Sequence, residues 1–104
     1  MKPSKYRAVR TVVDGVTFAS KREAARYQEL LLMQKGGLIE GLECQPRYPI
    51  EVNGHKICTY VADFTYLERR KRILEDVKGV KTPVYRLKYK LMQACYGITI
   101  REVK

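Results

Sequence analysis

The chain has 104 residues, of which 45% are hydrophobic, and its net charge is +10. Its length suits a single domain, and its hydrophobic fraction is typical of globular chains and excludes intrinsic disorder. No apolar run approaches the roughly 18 residues of a membrane span, and the basic first residues are not followed by the apolar segment of a secretory signal. We therefore expect one globular domain over residues 1–104, without a membrane partner.

The excess of positive charge is the first indication of function. Lys and Arg residues are spread along the chain and are not collected in one tail. Basic globular domains most often bind nucleic acid and less often an anionic membrane. The three cysteines stand far apart, so we interpret them as reduced core residues of a cytoplasmic protein and expect no zinc site.

The first third of the chain predicts a hairpin followed by a helix. Residues 1–10 are expected to form a flexible basic arm, and the Asp-Gly step within residues 11–18 predicts a tight hairpin. Ser20 is a suitable N-cap for a helix that ends at Gly36. The apolar stripe expected for this helix consists of Ala24, Tyr27, Leu31 and Gln34, with Leu30 beside them.

Three consecutive strands are predicted in the middle of the chain. Residues 42–52 form the first, which two prolines place at a sheet edge or at a bulge. An Asn-Gly turn leads into the second strand, residues 56–66, and a charged turn leads into the third, residues 72–78.

The last quarter predicts a second helix and a final strand. Thr82 is the N-cap, Pro83 occupies the first helical position and Gly97 ends the helix. Residues 98–103 form a strand that we expect to pair parallel to residues 72–78 through the helical crossover. The apolar stripe expected for this helix is Val84, Leu87 and Leu91 with Ala94 or Cys95. The fold class is therefore α/β, with a small mixed sheet in the order helix, three strands, helix, strand behind an N-terminal hairpin.

Charged residues interrupt the second and third of these strands. Side chains alternate along a strand, so Asp76 and Lys78 share one face while Glu75 takes the other. Pairing across the charged turn brings Asp63 beside Asp76 if the register allows it. Two close carboxylates repel each other and are tolerated when a cation lies between them, and oxygen ligands without His or Cys suit Mg²⁺ or Mn²⁺. The alternative is an ion pair between Asp76 and Lys78 at a frayed strand end, with Asp63 bonded to a turn.

Asp63 followed by Asp76, Val77 and Lys78 resembles the D…(D/E)-x-K signature of the PD-(D/E)XK nuclease superfamily, with Ala62 where a proline often precedes the first Asp. The segments DGVTFASKREAARYQEL, QPRYPIEV, YVADFTY and EDVKGVKTPVYRLKYKLM also resemble a family of small phage and prophage proteins of this nuclease type. The resemblance implies a restriction-endonuclease-like core, a Mg²⁺ or Mn²⁺ cofactor, hydrolysis of DNA phosphodiesters, and a bacterial cytoplasm as the location.

The same resemblance extends to the first helix. Many members of the superfamily carry a glutamate there that joins the metal site, and Glu23 is the matching residue. Ser20 and Glu23 are also spaced as a capping box, and one side chain can hold both roles. The catalytic set that the resemblance implies is Glu23, Asp63, Asp76 and Lys78, with Asp63, Asp76 and Glu23 as metal ligands and Lys78 positioning the attacking water.

Basic residues follow directly on this candidate site. The residues expected to contact nucleic acid are Lys81, Arg86, Lys88 and Lys90, at phosphates, and Tyr85, by stacking on bases. The alternative is an ordinary solvated helix face whose tyrosines lie at the edge of the core. The basic turn at residues 69–72 and the N-terminal arm are expected to add non-specific contacts.

These observations lead to the hypothesis of a minimal Mg²⁺-dependent DNA endonuclease. A homodimer would let so small a domain act on two strands, and a junction or flap in phage recombination or replication would suit it by analogy. A second hypothesis is a non-catalytic DNA-binding protein that retains the nuclease fold. A third is a protein-binding phage accessory factor.

Overall fold

The computed structural model describes residues 10–78 and 80–104. The predicted N-terminal arm therefore lies almost wholly outside the described residues. In chain order, the described elements are β1 (Thr11–Val13), β2 (Val16–Phe18), α1 (Lys21–Lys35), β3 (Glu40–Cys44), β4 (Arg47–Val52), β5 (His55–Val61), β6 (Phe64–Glu68), β7 (Lys71–Val77), α2 (Pro83–Tyr96) and β8 (Arg101–Val103).

A four-stranded mixed sheet lies at the centre of the described fold, in the order β3-β6-β7-β8. β6 pairs antiparallel with both β3 and β7, whereas β7 pairs parallel with β8. The parallel pair is joined through α2, as the sequence predicted. The hairpins β1–β2 and β4–β5 form two further two-stranded ribbons, so the α/β class with a mixed sheet is confirmed.

The two helices cover opposite faces of the four-stranded sheet. On one face, Leu30 of α1 belongs to a core cluster with Phe64 and Tyr66 of β6. On the other, Met92 of α2 belongs to a second cluster with Leu74 of β7. Because the pairing of β6 with β7 and the alternation along each strand place Leu74 on the face that Phe64 and Tyr66 avoid, the sheet separates two cores.

The predicted helix boundaries are confirmed by the caps. The Ser20 hydroxyl accepts the backbone N–H of Glu23 at 3.2 Å, and the Thr82 hydroxyl accepts that of Tyr85 at 3.1 Å. Gly97 ends α2 with a φ of 67°, which is the left-handed conformation that glycine adopts without a steric penalty. Neither described helix is long and apolar enough to cross a membrane.

Two predicted strands are each broken into two, and the breaks lie side by side. Residues 42–52 divide into β3 and β4 at Gln45, whose φ is 54°, and Pro46. Residues 56–66 divide into β5 and β6 at Ala62 and Asp63. The Gln45 N–H donates to the Asp63 carbonyl at 2.9 Å, and the Ala62 N–H to the Pro46 carbonyl at 3.2 Å. Both strands thus leave the four-stranded sheet together and continue as the β4–β5 ribbon.

The apolar stripe expected for α2 is confirmed at Leu91, which packs against the core, and is wrong at Val84 and Leu87. Val84 and Leu87 are 62% and 57% exposed, whereas Tyr85 and Met92 are buried. The helix has turned its tyrosine face inward because an aromatic ring buries more apolar surface than a valine, while its hydroxyl still finds a hydrogen-bond partner. The core position expected for the cysteines is also wrong for Cys95, which is free and exposed.

Candidate metal and nucleic-acid site

Asp63 and Asp76 lie next to each other at one end of the β6–β7 hairpin. The register ends with Phe64 opposite Glu75, and just beyond it the Asp63 N–H donates to the Glu75 carbonyl at 3.1 Å. The next opposed pair is therefore Asp63 and Asp76, and their carboxyl groups are within hydrogen-bonding reach of each other. The register on which the sequence interpretation depended is the one that brings the two acids together.

The Asp63 side chain occupies the gap that the strand break opens. Its Oδ2 accepts the backbone N–H of Val77 at 2.7 Å, at the point where the ladder has lost its backbone partner. Burial, together with the neighbouring Glu23 and Asp76 carboxyl groups, raises the pKa of Asp63 to about 9, against the opposing effect of the Val77 N–H. A proton or a cation is therefore favoured between these carboxyl groups.

Asp76 is held from two sides. It is only 2% exposed, and its Oδ2 accepts a hydrogen bond from the hydroxyl of Tyr60. Its Oδ1 lies 3.6 Å from the Lys78 Nζ. Burial, and then the hydrogen bond to Asp76, raise the pKa of Tyr60, so this phenol stays protonated as a donor.

Sequence reasoning missed Tyr60. Strict alternation along residues 56–66 puts Tyr60 on the face opposite Asp63, and therefore away from the proposed site. The strand break at Ala62 and Asp63 interrupts that alternation. The Tyr60 hydroxyl of β5 can therefore donate a hydrogen bond to Asp76 of β7. No pattern in the sequence marks such a contact in advance.

The Lys78 ammonium group is fixed between an acid and an aromatic ring. Its Nζ lies 4.3 Å from the centroid of the Tyr85 ring, a cation–π distance, in addition to its contact with Asp76. The Tyr85 hydroxyl donates to Glu102 of β8 at 2.8 Å, which fixes the ring itself. Burial raises the pKa of Tyr85, with the hydrogen bond to Glu102 as the next cause.

Glu23 makes both of the contacts that its position in the sequence left open. The Ser20 Oγ donates to its Oε2 at 3.1 Å, so the residue takes part in capping α1. Its carboxyl group is also within hydrogen-bonding reach of Asp63. Glu23 therefore joins the two acids through Asp63, and its role as a metal ligand stays a prediction.

Glu75 faces away from this site, as alternation predicts. Its side chain is fully buried on the α1 face of the sheet. Arg26 of α1 donates to both carboxylate oxygens, from Nε at 2.5 Å and Nη2 at 3.0 Å. The Tyr66 hydroxyl adds a third hydrogen bond at 2.5 Å. Glu75 thus ties α1 to the sheet and does not contribute to the pair of acids.

The pair fits Mg²⁺ by its donor chemistry. Asp63 and Asp76 offer carboxylate oxygens alone, and Mg²⁺ is commonly held by one or two carboxylates with water and a phosphate. Within residues 10–78 and 80–104, no three His, Cys, Asp or Glu side chains are arranged as a metal-binding group. The arrangement is therefore a two-carboxylate site with a third acid beside it.

The basic residues in α2 and directly before it fall into two groups. Lys81, Arg86 and Lys90 line one surface groove of about 470 Å³ together with Tyr89. Within that groove, the Lys81 Nζ pairs with Glu102 at 3.0 Å, while Arg86 and Lys90 are exposed. Lys88 instead donates to the Thr59 carbonyl at 3.2 Å, so it ties α2 to β5.

The stacking role expected for Tyr85 stays a prediction, and the structure leaves little of the side chain exposed. The residue is only 6% exposed, with its ring beneath Lys78 and its hydroxyl bonded to Glu102. Tyr85 therefore orients Lys78, and it also lines the groove that contains Lys81, Arg86 and Lys90.

Nearly the whole chain, including the candidate site, matches one known protein family. Residues 3–103 match the family described as "Protein of unknown function (DUF1064)". The chain belongs to this family. The DUF1064 match spans both helices, the pair of acids and Lys78, so the candidate site lies inside the region that defines the family. A search of curated proteins and a search of solved structures each found no match.

Proposed function

We propose that this DUF1064 protein is a Mg²⁺-dependent deoxyribonuclease that cuts DNA internally at the Asp63–Asp76 pair. The observation that carries the proposal is the meeting of two carboxyl groups, one of them almost fully buried, with the Lys78 ammonium 3.6 Å from Asp76. Pure DNA binding gives no reason to place acids where phosphates approach, because like charges repel there.

The order of the elements supports a restriction-endonuclease-like core. α1 precedes three antiparallel strands, β3, β6 and β7, and α2 then leads to the parallel strand β8. The two acids and the lysine lie on the β6–β7 hairpin or directly beside it, behind the first helix. This is the position that the resemblance to the PD-(D/E)XK superfamily implies for the signature.

The proposed reaction adds water to a backbone phosphorus and breaks one of its ester bonds, which yields a phosphate monoester and a hydroxyl group. Mg²⁺ held by Asp63 and Asp76 would polarise the phosphate and acidify a bound water. Lys78, fixed by Asp76 and Tyr85, is placed to orient that water or to neutralise charge that develops on the phosphate. Tyr60 keeps Asp76 in place from the other side.

The basic surface supports DNA as the substrate. The net charge of +10 favours a polyanion, and Lys81, Arg86 and Lys90 line one groove at the start of α2 and along it. Branched or structured DNA, from phage recombination or replication, is the substrate class that the resemblance favours by analogy. A homodimer and a location in the bacterial cytoplasm stay predictions.

Cleavage of a DNA panel tests the proposal. Labelled linear, flapped and four-way DNA is incubated with the protein in Mg²⁺, in Mn²⁺ and in EDTA. We expect metal-dependent cuts that Asp76→Asn abolishes while DNA binding in EDTA remains. Arg47→Gln, which removes an exposed charge from β4 near the site, is a control for general loss of affinity and should still cut.

Each outcome of this panel selects one hypothesis. Binding without cleavage in either metal would favour the non-catalytic DNA-binding protein. No binding to any of the three DNAs at low salt would exclude both and leave the protein-binding accessory factor.

A further inference from the structure

Three hairpins in the described structure have two-residue turns, and two of these turns contain residues that favour a positive φ. Asp14 and Gly15 join β1 to β2 with φ values of 50° and 78°. Asn53 and Gly54 join β4 to β5 with φ values of 51° and 80°. Positive φ at both central positions is the mark of a type I′ turn, for which Asp-Gly and Asn-Gly are the preferred pairs.

The turn of the third hairpin has the same backbone geometry, but its two residues disfavour a positive φ. Arg69 and Arg70 join β6 to β7 with φ values of 52° and 66°. In this conformation, the Cβ of a residue other than glycine approaches the following carbonyl oxygen, and arginine has no short polar group to offset the contact. The chain therefore places two bulky cationic residues where its other turns use Asp or Asn and Gly.

The charges at this turn are available to a partner. Arg69, Arg70 and Lys71 are exposed, and in the described part of the chain their side chains make no hydrogen bond or ion pair. The adjacent Glu68 is already engaged, because Arg101 of β8 lies 2.9 Å from its carboxylate. Glu40 of β3 lines the same surface pocket as Arg69 and Arg70, but forms no ion pair with them in the described part of the chain. The fourth cation, Arg72, is exposed and reaches Thr65 at 3.4 Å.

We propose that this basic turn, residues 69–72, is a second binding site for the phosphate backbone of nucleic acid. The proposal rests on the proposed function for its choice of DNA. The turn lies at the end of the β6–β7 hairpin opposite Asp63 and Asp76, and the five residues of β6 separate the two by about 17 Å. One duplex that reaches both ends would span about five base pairs.

Nucleic acid fits this turn better than a lipid surface. Peripheral membrane binding needs apolar side chains that enter the acyl region beside the cations. The tip, residues 68–72, consists of one glutamate and four cationic residues, with no apolar side chain. One exposed leucine, Leu38, lies in the pocket beside Arg69 and Arg70, which is less than an apolar face. Four closely spaced cations beside so small an apolar surface suit a line of phosphates.

The double variant Arg69→Asn with Arg70→Gly tests this site without endangering the fold. It installs the pair that the β4–β5 turn already uses, so its melting temperature should rise, by about 4–8 °C. Binding to a labelled linear duplex is measured in EDTA, so that no cleavage occurs, over a range of salt concentrations. We expect affinity to fall at least ten-fold at about 0.1 M salt, and the slope of log K against log salt to decrease by about 1.8, for two lost phosphate contacts.

A charge-matched control exchanges the two turns. The quadruple variant adds Asn53→Arg and Gly54→Arg to the double variant, which restores the net charge but moves both arginines to the β4–β5 ribbon. We expect its DNA affinity to stay low. Recovery of the wild-type affinity would show that only total charge matters and would overturn the site.

The remaining outcomes separate this site from the proposed function. If the double variant binds DNA with the wild-type affinity and salt slope, the site is overturned while the proposed function stands. If the wild type binds vesicles that contain phosphatidylserine but not DNA, or binds no DNA at low salt, both are overturned.

Discussion

The surroundings of the Asp63 side chain are determined by the strand break at which it lies. The residue sits where β5 ends and β6 begins, and its carboxylate replaces a backbone carbonyl as the acceptor for the Val77 N–H. That position leaves it half-buried and in contact with Glu23 and Asp76. A carboxyl group that would be unfavourable inside a strand is thus held at a bend, where its hydrogen bond to Val77 partly offsets the loss of water.

This environment predicts an unusual dependence of stability on pH. Because burial and the Glu23 and Asp76 carboxyl groups raise the pKa of Asp63 to about 9 from an ordinary value of 3.8, the folded protein holds a proton that the unfolded chain has released at neutral pH. The free energy of unfolding should therefore fall as pH rises from about 4 to about 9, by up to about 1.4 kcal/mol per pH unit, and level off above about 9.

Asp63→Asn should remove that dependence and stabilise the metal-free protein at pH 8, because asparagine is neutral and keeps an oxygen for the Val77 N–H. Urea unfolding in EDTA at pH 6 and pH 8 measures both effects. Asp14→Asn, at an exposed turn position that accepts either residue, is the matched control and should behave as wild type. A steeper loss of stability in Asp63→Asn than in wild type would contradict this account.

At the scale of elements, α1 is held to the sheet by a buried ion pair. Glu75 of β7 is fully buried, and Arg26 of α1 grips both of its carboxylate oxygens. Arg26 lies one turn after Glu23, so the same contact that docks the helix also fixes the helix face that meets Asp63. The two neighbouring acids of β7 thus have separate tasks: Glu75 positions α1, and Asp76 belongs to the candidate site.

Arg26→Met should destabilise the protein by about 3–5 kcal/mol, because it leaves the Glu75 charge buried without its cation. The double variant Arg26→Met with Glu75→Gln should recover most of that loss, because no uncompensated charge remains. Urea unfolding of the two variants gives the comparison. Glu29→Gln, which removes only the exposed Arg26–Glu29 pair, should change stability by less than about 1 kcal/mol. Equal losses in the single and double variants would refute the ion-pair explanation.

The helices were predictable from the sequence because their ends carry explicit signals. Helix ends are marked by local residue preferences that do not depend on the rest of the fold. Here they are the N-caps Ser20 and Thr82, Pro83 at the first helical position and Gly97 at the C-cap. The face of α2 was not predictable in the same way. Tyrosines serve equally well in the core and at the surface, and packing against the sheet decided between them.

The candidate site was predictable from the sequence only where side chains alternate regularly along a strand. Alternation separated Asp76 and Lys78 from Glu75 correctly, because β7 is regular over its whole length. The pairing of Asp63 with Asp76 depended on a two-residue turn at Arg69 and Arg70, which carry no turn signal.

At the scale of the whole molecule, charge is divided between a site that repels phosphate and surfaces that attract it. The acids lie at one end of the β6–β7 hairpin, the basic turn lies at the other, and the α2 groove with Lys81, Arg86 and Lys90 begins beside the acids. DNA held by the basic surfaces would be brought to the acids only when a cation offsets their charge. The proposed function thereby assigns affinity and catalysis to different parts of the chain.

This division predicts that the groove contributes to affinity through phosphate contacts. Arg86→Gln should weaken DNA binding similarly for different sequences and reduce the salt slope by about 0.9, the effect of one lost phosphate contact. Lys56→Gln removes the same charge from the exposed part of β5 and should leave the slope unchanged. Fluorescence anisotropy against salt measures both slopes, and equal decreases in the two variants would contradict a localised surface.

The central claim is that Asp63 and Asp76 together bind a divalent cation, and calorimetric titration of Mg²⁺ into the DNA-free protein tests it most directly, without a choice of DNA substrate. We predict one Mg²⁺ bound per chain by the wild type, no binding in Asp63→Asn or Asp76→Asn, and unchanged binding in Glu51→Gln, a control at an exposed acid of β4. Absence of binding at millimolar Mg²⁺ in the wild type, or undiminished binding in both Asp→Asn variants, would contradict the account.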